Sequence, residues 1–362
     1  MTEGVGPPGN ARVVALGASA GGVPALSRVI GGLRADLAAA VFVVLHLPSS
    51  GTSVLPTILT RAGPLHAAVP RDREPIVTGQ VYVAPPDRHL LVEDSVVRVV
   101  RGPWENGHRP SIDVLFRSVA ECHGDGAGGA VLTGALYDGA SGLAAIARHG
   151  GTALVQDPTE AEVPDMPLAA LEAVPVAEPL PTDAIAARIN ELAAGAPPQV
   201  VKVASSPRSR LEPTAERVGE LAIASGARLT PEELHLHATG LTCPDCNGSL
   251  FEIADGSVER FRCRVGHAWT AEALSESQGR GVEHALYAAL RILEDRQSLQ
   301  HRMAANALRR GRRRAAQVLH QRMDDQATLI ETLRDAIAAF GSGGELDDAE
   351  TQDGEATSAE IG

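Results

Sequence analysis

The stretch Arg12-Val13-Val14-Ala15-Leu16-Gly17-Ala18-Ser19-Ala20-Gly21-Gly22 decides how the first half of the chain is read. A β-rich run from Arg12 to Leu16 passes into a turn of small residues, and a helical pattern follows over about 23–35. Strand, glycine turn and helix in that order form the opening unit of an α/β fold. Working outward, the alternation continues to about residue 195. Further strands are predicted at Val41 to Leu45, Gln80 to Ala84, Ala130 to Thr133 and Thr152 to Val155, with a hairpin over Leu90 to Val100 that turns near Glu93, Asp94 and Ser95. Helices are predicted at about 111–122, 140–149, 166–174 and 183–194, the first of these opening on Pro110-Ser111 with Asp113 in its first turn. The expected architecture is a mostly parallel, doubly wound sheet with helices on both faces.

The 362 residues exceed what one core of this kind needs, so further parts are expected. The acidic, Gly-rich tail 341–362 has little apolar surface to bury and is read as disordered, as are residues 1–10. A linker rich in Ala, Gly, Ser and Pro is assigned to 196–239, with room for a short helix over 212–225. A compact Cys/His module is assigned to 240–275 and a helical segment to 276–340, with Gly311 as a candidate break. Seven acids in the tail carry more than half of the net charge of -13. An acidic chain is poorly suited to nucleic acid, whose non-specific binding depends on basic side chains that neutralise phosphates. No apolar run reaches the roughly 20 residues a membrane span needs, and residues 1–10 lack the pattern of a secretory signal. A cytoplasmic location without membrane insertion is expected.

The turn at Gly17–Gly22 has two chemical readings. As a dinucleotide loop it places Ser19 at the middle glycine of the G-x-G-x-x-G fingerprint and lacks the acidic residue about 20 positions on. As a nucleophile turn it exposes Ser19 at the start of a helix, whose N–H groups can stabilise an oxyanion. A serine hydroxyl needs a histidine to take its proton and a carboxylate to orient that histidine. His46 follows the strand Val41 to Leu45, and Asp138 follows the strand Ala130 to Thr133. Ser19, His46 and Asp138 therefore all fall beyond the carboxyl ends of three strands predicted to be parallel, where open α/β sheets bind ligands. Taken singly, the turn is also a plain connection, His46 an ordinary loop histidine and Asp138 an N-cap of the helix after it. His66, His89, His108, His123 and His149 are read as surface or packing residues.

Five blocks in order, namely Ala15 to Gly22, Leu45-His46-Leu47-Pro48, Tyr82 to His89, His108 to Phe116 and Leu132 to Gly139, resemble the CheB methylesterase domain. The resemblance spans about residues 11–195. It implies a serine esterase with Ser19, His46 and Asp138 as triad, no catalytic cofactor, and glutamate methyl esters on the cytoplasmic helices of chemoreceptors as substrate, with glutamine deamidation as related chemistry. It also implies oxyanion donors near Ala20 and around Gly134 to Leu136. Two departures stand out at the site, Ala20 where the family often has Thr, and Leu136 within Gly134-Ala135-Leu136-Tyr137-Asp138-Gly139 where it usually has Gly. With about ten residues before the first strand, control by a phosphorylated N-terminal receiver domain is not expected. A weakly active or non-catalytic CheB-like adaptor, or an esterase for another acyl group, are the alternatives.

The second half supplies Cys243-Pro244-Asp245-Cys246 and, after sixteen residues, Cys263-Arg264-Val265-Gly266-His267. Three thiols and an imidazole in two close pairs make a tetrahedral zinc set, closed and therefore structural. Leu250 to Ile253 and Val258 to Arg262 flank Asp255-Gly256, a hairpin signal that brings the pairs together. The module reads as zinc-ribbon-like. Cys122 is left over and read as a buried helical cysteine. Leu286, Leu290 and Leu293 lie at helical spacing, so packing or a homodimer through the C-terminal helices is expected, and Arg309, Arg310, Arg312, Arg313 and Arg314 form a basic face.

Overall fold

The computed structural model describes residues 12–47, 53–93, 95–177, 179–194, 237–253 and 258–342. The expectations for residues 1–10, for the linker before 237, for Asp255-Gly256 and for the acidic tail beyond 342 lie outside the described residues. Two compact units are present, one up to Ser275 and one from Glu276.

The first unit is built on strands β1 (Arg12–Ala18), β2 (Ala39–Leu45), β3 (His66–Ala68), β4 (Gln80–Val83), β7 (Ala127–Val131), β8 (Thr152–Gln156) and β9 (Pro179–Leu180). They form one parallel sheet in the order β3-β4-β2-β1-β7-β8-β9. The antiparallel hairpin of β5 (His89–Glu93) and β6 (Val96–Val100) forms a separate two-stranded sheet.

All seven residues of β2 are buried, because a central parallel strand is covered on both faces. Pleating sends Val14, Leu16 and Ala18 of β1 to one face, against α1 (Gly22–Gly31), α2 (Leu55–Ala62) and α6 (Thr182–Ala193) through Leu26, Ile30, Leu59 and Ile185. Val13 and Ala15 point to the other face, against α3 (Ile112–His123), α4 (Ala140–Arg148) and α5 (Asp165–Ala173) through Ile112, Phe116, Ile146 and Ala170. Two helical layers thus enclose the sheet, each with its own apolar core.

Three features differ from the sequence expectation. β7 begins at Ala127 and not at Ala130, because Gly128-Gly129 reads as a loop. The pair is strand for a packing reason, since a Cβ on Gly129 would lie 2.4 Å from Ile146 Cδ1. Helix α2 and the short strands β3 and β9 were not predicted, being too brief to display a period. The Cys/His module begins with β10 (His237–Thr242), inside the span assigned to the linker.

That module adds β11 (Ser249–Ile253), β12 (Arg260–Cys263) and β13 (Ala268–Thr270), an antiparallel sheet in chain order. Its small core is Leu250, Phe261, Trp269 and Leu274 packed around Cys243 and Cys263. The edge of β13 pairs with residues 104–106 of the first core, Ala268 N–H donating to Trp104 O at 3.2 Å and Asn106 N–H to Ala268 O at 2.9 Å. Between these bonds lies Glu105, fully buried, which accepts from Arg117 of α3 and from Arg260 of β12, each at 2.8 Å. A long helix, α7 (Ala271–Arg309), follows, and α8 (Arg313–Ser342) begins after Gly311, whose φ of 71° ends the first helix as expected.

Burial alone would raise the Glu105 carboxyl, but Arg117, Arg260 and Arg262 hold it down to about 2, against an ordinary value of 4.5. Between those values the unfolded chain holds the proton and the folded chain does not. The stability contributed by Glu105 is therefore complete above about pH 4.5 and drains as pH falls toward 2. Glu105→Gln, which leaves two buried guanidinium groups short of their counter-charge, is expected to be less stable at pH 6 by roughly 3–5 kcal/mol. Its urea midpoint should also fall less between pH 6 and pH 3 than that of the wild type.

Candidate active site

Parallel pairing fixes the site's geography. Ala18 of β1 is the register partner of Leu45 of β2, so the next residues, Ser19 and His46, leave the sheet side by side. His46 N–H donates to Ala18 O at 3.1 Å and Ser19 N–H to Thr133 O at 2.9 Å, tying the ends of β1, β2 and β7 together. Sheet order grows from β1 in both directions, toward β2 on one side and β7 on the other. Such a switch point opens a crevice at the carboxyl ends of the strands.

Asp138 lies in the loop between β7 and α4 and is fully buried. Oδ2 of its carboxylate accepts from His46 Nε2 at 2.8 Å and Ile112 N at 2.6 Å. Oδ1 accepts from Ser111 Oγ at 2.9 Å, Asn106 Nδ2 at 3.2 Å and Asp113 N at 3.3 Å. The capping alternative is thereby resolved in an unexpected way. The N-cap of α4 is Gly139, and Asp138 instead faces the N-terminus of α3, whose free N–H groups and dipole favour an anion. Burial alone would raise the Asp138 carboxyl, yet the His46 hydrogen bond and charge, His108 and the Ile112 N–H hold it well below the usual carboxylate range.

A second buried carboxyl, Asp113, stands beside it. Burial first and the Asp138 charge second push it up to about 8. It accepts from Gly142 N at 2.6 Å, Asn106 Nδ2 at 2.9 Å and Gly139 N at 3.0 Å, so it clamps the start of α4 behind Asp138. Two adjacent buried carboxyls cannot both ionise cheaply, and the charge is concentrated on Asp138.

The Asp138 carboxylate can only accept, so Nε2 of His46 carries the proton. Nδ1 of His46 is buried and has no hydrogen-bond partner among the described residues, which leaves its lone pair free for a proton. Ser19 is half-buried, and its hydroxyl makes no hydrogen bond among the described residues. Gly134 fits against Ser19, since a Cβ there would lie 2.7 Å from Ser19 Cβ and 2.2 Å from Met166 Sδ.

Of the expected oxyanion donors, Gly134 N–H is engaged by Val163 O at 3.0 Å, which leaves Ala20, Ala135 and Leu136 as candidates. Leu136 adopts φ 71°, in the left-handed region, at the position where a glycine was expected.

Of the two readings of His108, surface or packing, the structure shows packing, and the residue it packs on is His46. The two rings stack, with centroids 3.6 Å apart and planes 10° apart. His89 is buried and structural, bonded to Pro103 O at 2.8 Å and accepting from Ser111 N at 3.2 Å. Asn106 and Asp113 were missed as site residues. Asp113 reads as a first-turn acid, and Asn106 carries no signal because Asp138 and Thr270, two of its three partners, are remote in sequence.

In the module, Cys243, Cys246, Cys263 and His267 bring their ligand atoms within 4.8 Å of one another. Cys246 Sγ and Cys263 Sγ are 3.6 Å apart, and His267 Nδ1 is 3.7 Å from Cys243 Sγ and 3.6 Å from Cys263 Sγ. A tetrahedral zinc with Zn–S near 2.3 Å sets its ligand atoms about 3.5–3.8 Å apart, so this donor set fits that ion. Cys122 is half-buried on α3.

Comparison with known proteins gives a consistent set of relatives. The family model described as CheB methylesterase matches residues 14–189. The chain is 40% identical over 186 residues to protein-glutamate methylesterase/protein-glutamine glutaminase 4 of Anaeromyxobacter dehalogenans, covering 50% of this chain and 52% of that protein. It is 40% identical over 187 residues to the corresponding protein 2 of Pseudomonas aeruginosa, covering 51% and 53%. A putative protein-glutamate methylesterase/protein-glutamine glutaminase of Leptospira interrogans is 38% identical over 168 residues, covering 46% of this chain and 87% of that protein. The chain spans about half the length of the first two relatives. Among solved structures, the catalytic domain of Thermotoga maritima CheB methylesterase matches with 29% identity and a TM-score of 0.48, over 50% of this chain and 98% of that one.

The left-handed Leu136 should be a point of stored strain. Leu136→Gly is expected to raise stability by up to about 1 kcal/mol, the relief of a side chain in that region being partly offset by glycine's extra chain entropy. Gly134→Ala should do the reverse and also displace Ser19. Thermal melts of both variants check the sign.

Proposed function

The chain belongs to the CheB methylesterase family, and on that premise we propose that it hydrolyses glutamate γ-methyl esters on the helices of methylated chemoreceptors, giving glutamate and methanol. The observation that carries the reading is the 2.8 Å bond from His46 Nε2 to the buried Asp138 carboxylate, with Nδ1 of the same ring left as base next to the Ser19 turn. His46 Nδ1 takes the Ser19 proton as Oγ attacks the ester carbonyl. Backbone N–H groups of Ala20 and of the Ala135–Leu136 turn receive the oxyanion. The intermediate collapses, the methoxy group leaves with the proton from His46, and an acyl-enzyme remains. Water attacks it while His46 again takes the proton, so the glutamate carboxyl and the free serine are restored. An amide nitrogen can leave by the same steps as ammonia, which extends the proposal to receptor glutamine side chains.

Asp138 orients the imidazole and stabilises its charged form without itself taking a proton. The same proposal assigns zinc to Cys243, Cys246, Cys263 and His267. With all four positions filled by protein ligands, the ion would act as a crosslink in a module whose apolar core is small, and take no part in the ester chemistry.

Methanol release from a methylated receptor fragment tests the activity. Ser19→Ala is expected to lower it by at least about a thousandfold, and equal release from wild type and variant rejects the reading. Asp138 is held well below the usual carboxylate range, so it should stay charged there and add no step of its own to the acid side of the turnover–pH profile. A step in the ordinary carboxylate range that Asp138→Asn abolishes contradicts this. Elemental analysis should find one zinc per chain, and Cys246→Ser should lower both the zinc content and the melting temperature.

A further inference from the structure

We propose that the Cys/His module is a brace for the catalytic carboxylate, acting through Asn106 as a positioning residue, so that zinc in the module controls turnover at Ser19. The inference rests on the esterase reading above and goes beyond it by linking two parts that the sequence separates by more than a hundred residues.

The link is a chain of hydrogen bonds with no slack. Asn106 is buried in the left-handed region, with φ 50°, and every polar group of its side-chain amide is used. Oδ1 accepts from Thr270 N of β13 at 2.9 Å. Nδ2 donates to Asp113 Oδ2 at 2.9 Å and to Asp138 Oδ1 at 3.2 Å. A backbone N–H can only donate, so Thr270 dictates which end of the amide faces the module and turns the NH₂ toward the two carboxyls. The reversed amide would set its oxygen against the Asp138 carboxylate and leave the Thr270 N–H facing a second donor. Without β13 the amide oxygen loses its printed donor, and the carboxyls alone are left to hold the NH₂ end.

The position of β13 is in turn set by the metal-binding end of the module. Cys263 N–H donates to His267 O at 2.9 Å, closing the turn that carries two of the four ligands, and Ala268 follows directly. Arg260 and Arg262 of β12 are the register partners of Thr270 and Ala268. Arg260 also reaches Glu105, next to Asn106 in the chain, at 2.8 Å. The ligand knuckle, β13, Asn106 and Asp138 are therefore consecutive members of one bonded path. All of them lie in the same compact unit. Zinc that tightens the Cys263–His267 turn fixes β13, which fixes the donor that holds Asp138 toward His46.

The test uses the full chain loaded with zinc, or stripped by a chelator, and two readouts. In kinetics on a glutamate γ-methyl ester peptide, Asn106→Ala should lower kcat roughly ten- to hundredfold, the scale of one hydrogen bond to a charged group, and leave KM within about twofold. Chelation should lower wild-type kcat by a similar factor but add less than about twofold to Asn106→Ala, because both perturbations break one path. Asn106→Asp separates the two ends. It keeps an acceptor for Thr270 but sets a third buried carboxyl against Asp138 and Asp113 in place of the amide's two donors, so its kcat should fall at least as far as in Asn106→Ala.

The second readout is amide hydrogen exchange over residues 104–114. Exchange there should quicken on chelation in the wild type and in Asn106→Asp, while the β1 peptide stays protected. Unchanged kcat and unchanged exchange after zinc is removed overturn the brace, as do losses that multiply in Asn106→Ala. If the zinc-loaded wild type shows no Ser19-dependent turnover, the esterase reading fails instead, and the exchange data still decide the brace.

Discussion

A single negative charge placed where water cannot reach it organises this molecule. Removing a carboxylate from water costs several kcal/mol or more unless donors replace the lost hydration. Asp138 meets that cost with five donors drawn from three places, namely the histidine after β2, the first turn of α3 with its cap, and the amide of Asn106. Each donor must arrive in register. The parallel pairing of β1 with β2 and β7, the docking of α3 under the sheet and the placement of residues 104–106 are thus constrained by one group.

The same accounting explains why a second carboxyl is tolerated next door. Asp113 takes the role of a neutral or weakly charged acceptor that pins Gly139 and Gly142, and so shapes the loop that carries Asp138. Concentrating the charge on one of the two keeps the histidine's partner ionised while the other serves as a structural clamp. Glu105 repeats the principle a short distance away. It is buried between two arginines from different parts of the chain and joins the Cys/His module to the sheet domain through an ion triad whose members would each be costly alone. The module is therefore bonded to the sheet domain through one residue pair, by charge at Glu105 and by oriented hydrogen bonds at Asn106.

Much of this was legible in the sequence wherever the signal was local. The strand-turn-helix at Arg12–Gly22, the hydrophobic run of β2, the hairpin at 89–100, the helix opening at Ser111 and the knuckle spacing of Cys243, Cys246, Cys263 and His267 each declare themselves within a few residues. Periodicity and turn chemistry act over that range. Elements of two or three residues, β3 and β9, offer no period to read, and the glycines of β7 imitate a loop although sheet-to-helix packing requires them.

By itself the sequence determined the α/β class, the strand ends that carry Ser19, His46 and Asp138, and a four-ligand set suited to zinc. Only the tertiary structure decided that Asp138 faces the N-terminus of α3 and not its own following helix, that His108 stacks on His46, and that Asn106 connects Thr270 to the carboxylate. Those relations join residues that are far apart along the chain. Burial, charge and hydrogen-bond direction fix them, and these properties belong to neighbours in space, so no spacing rule within the sequence could have supplied them.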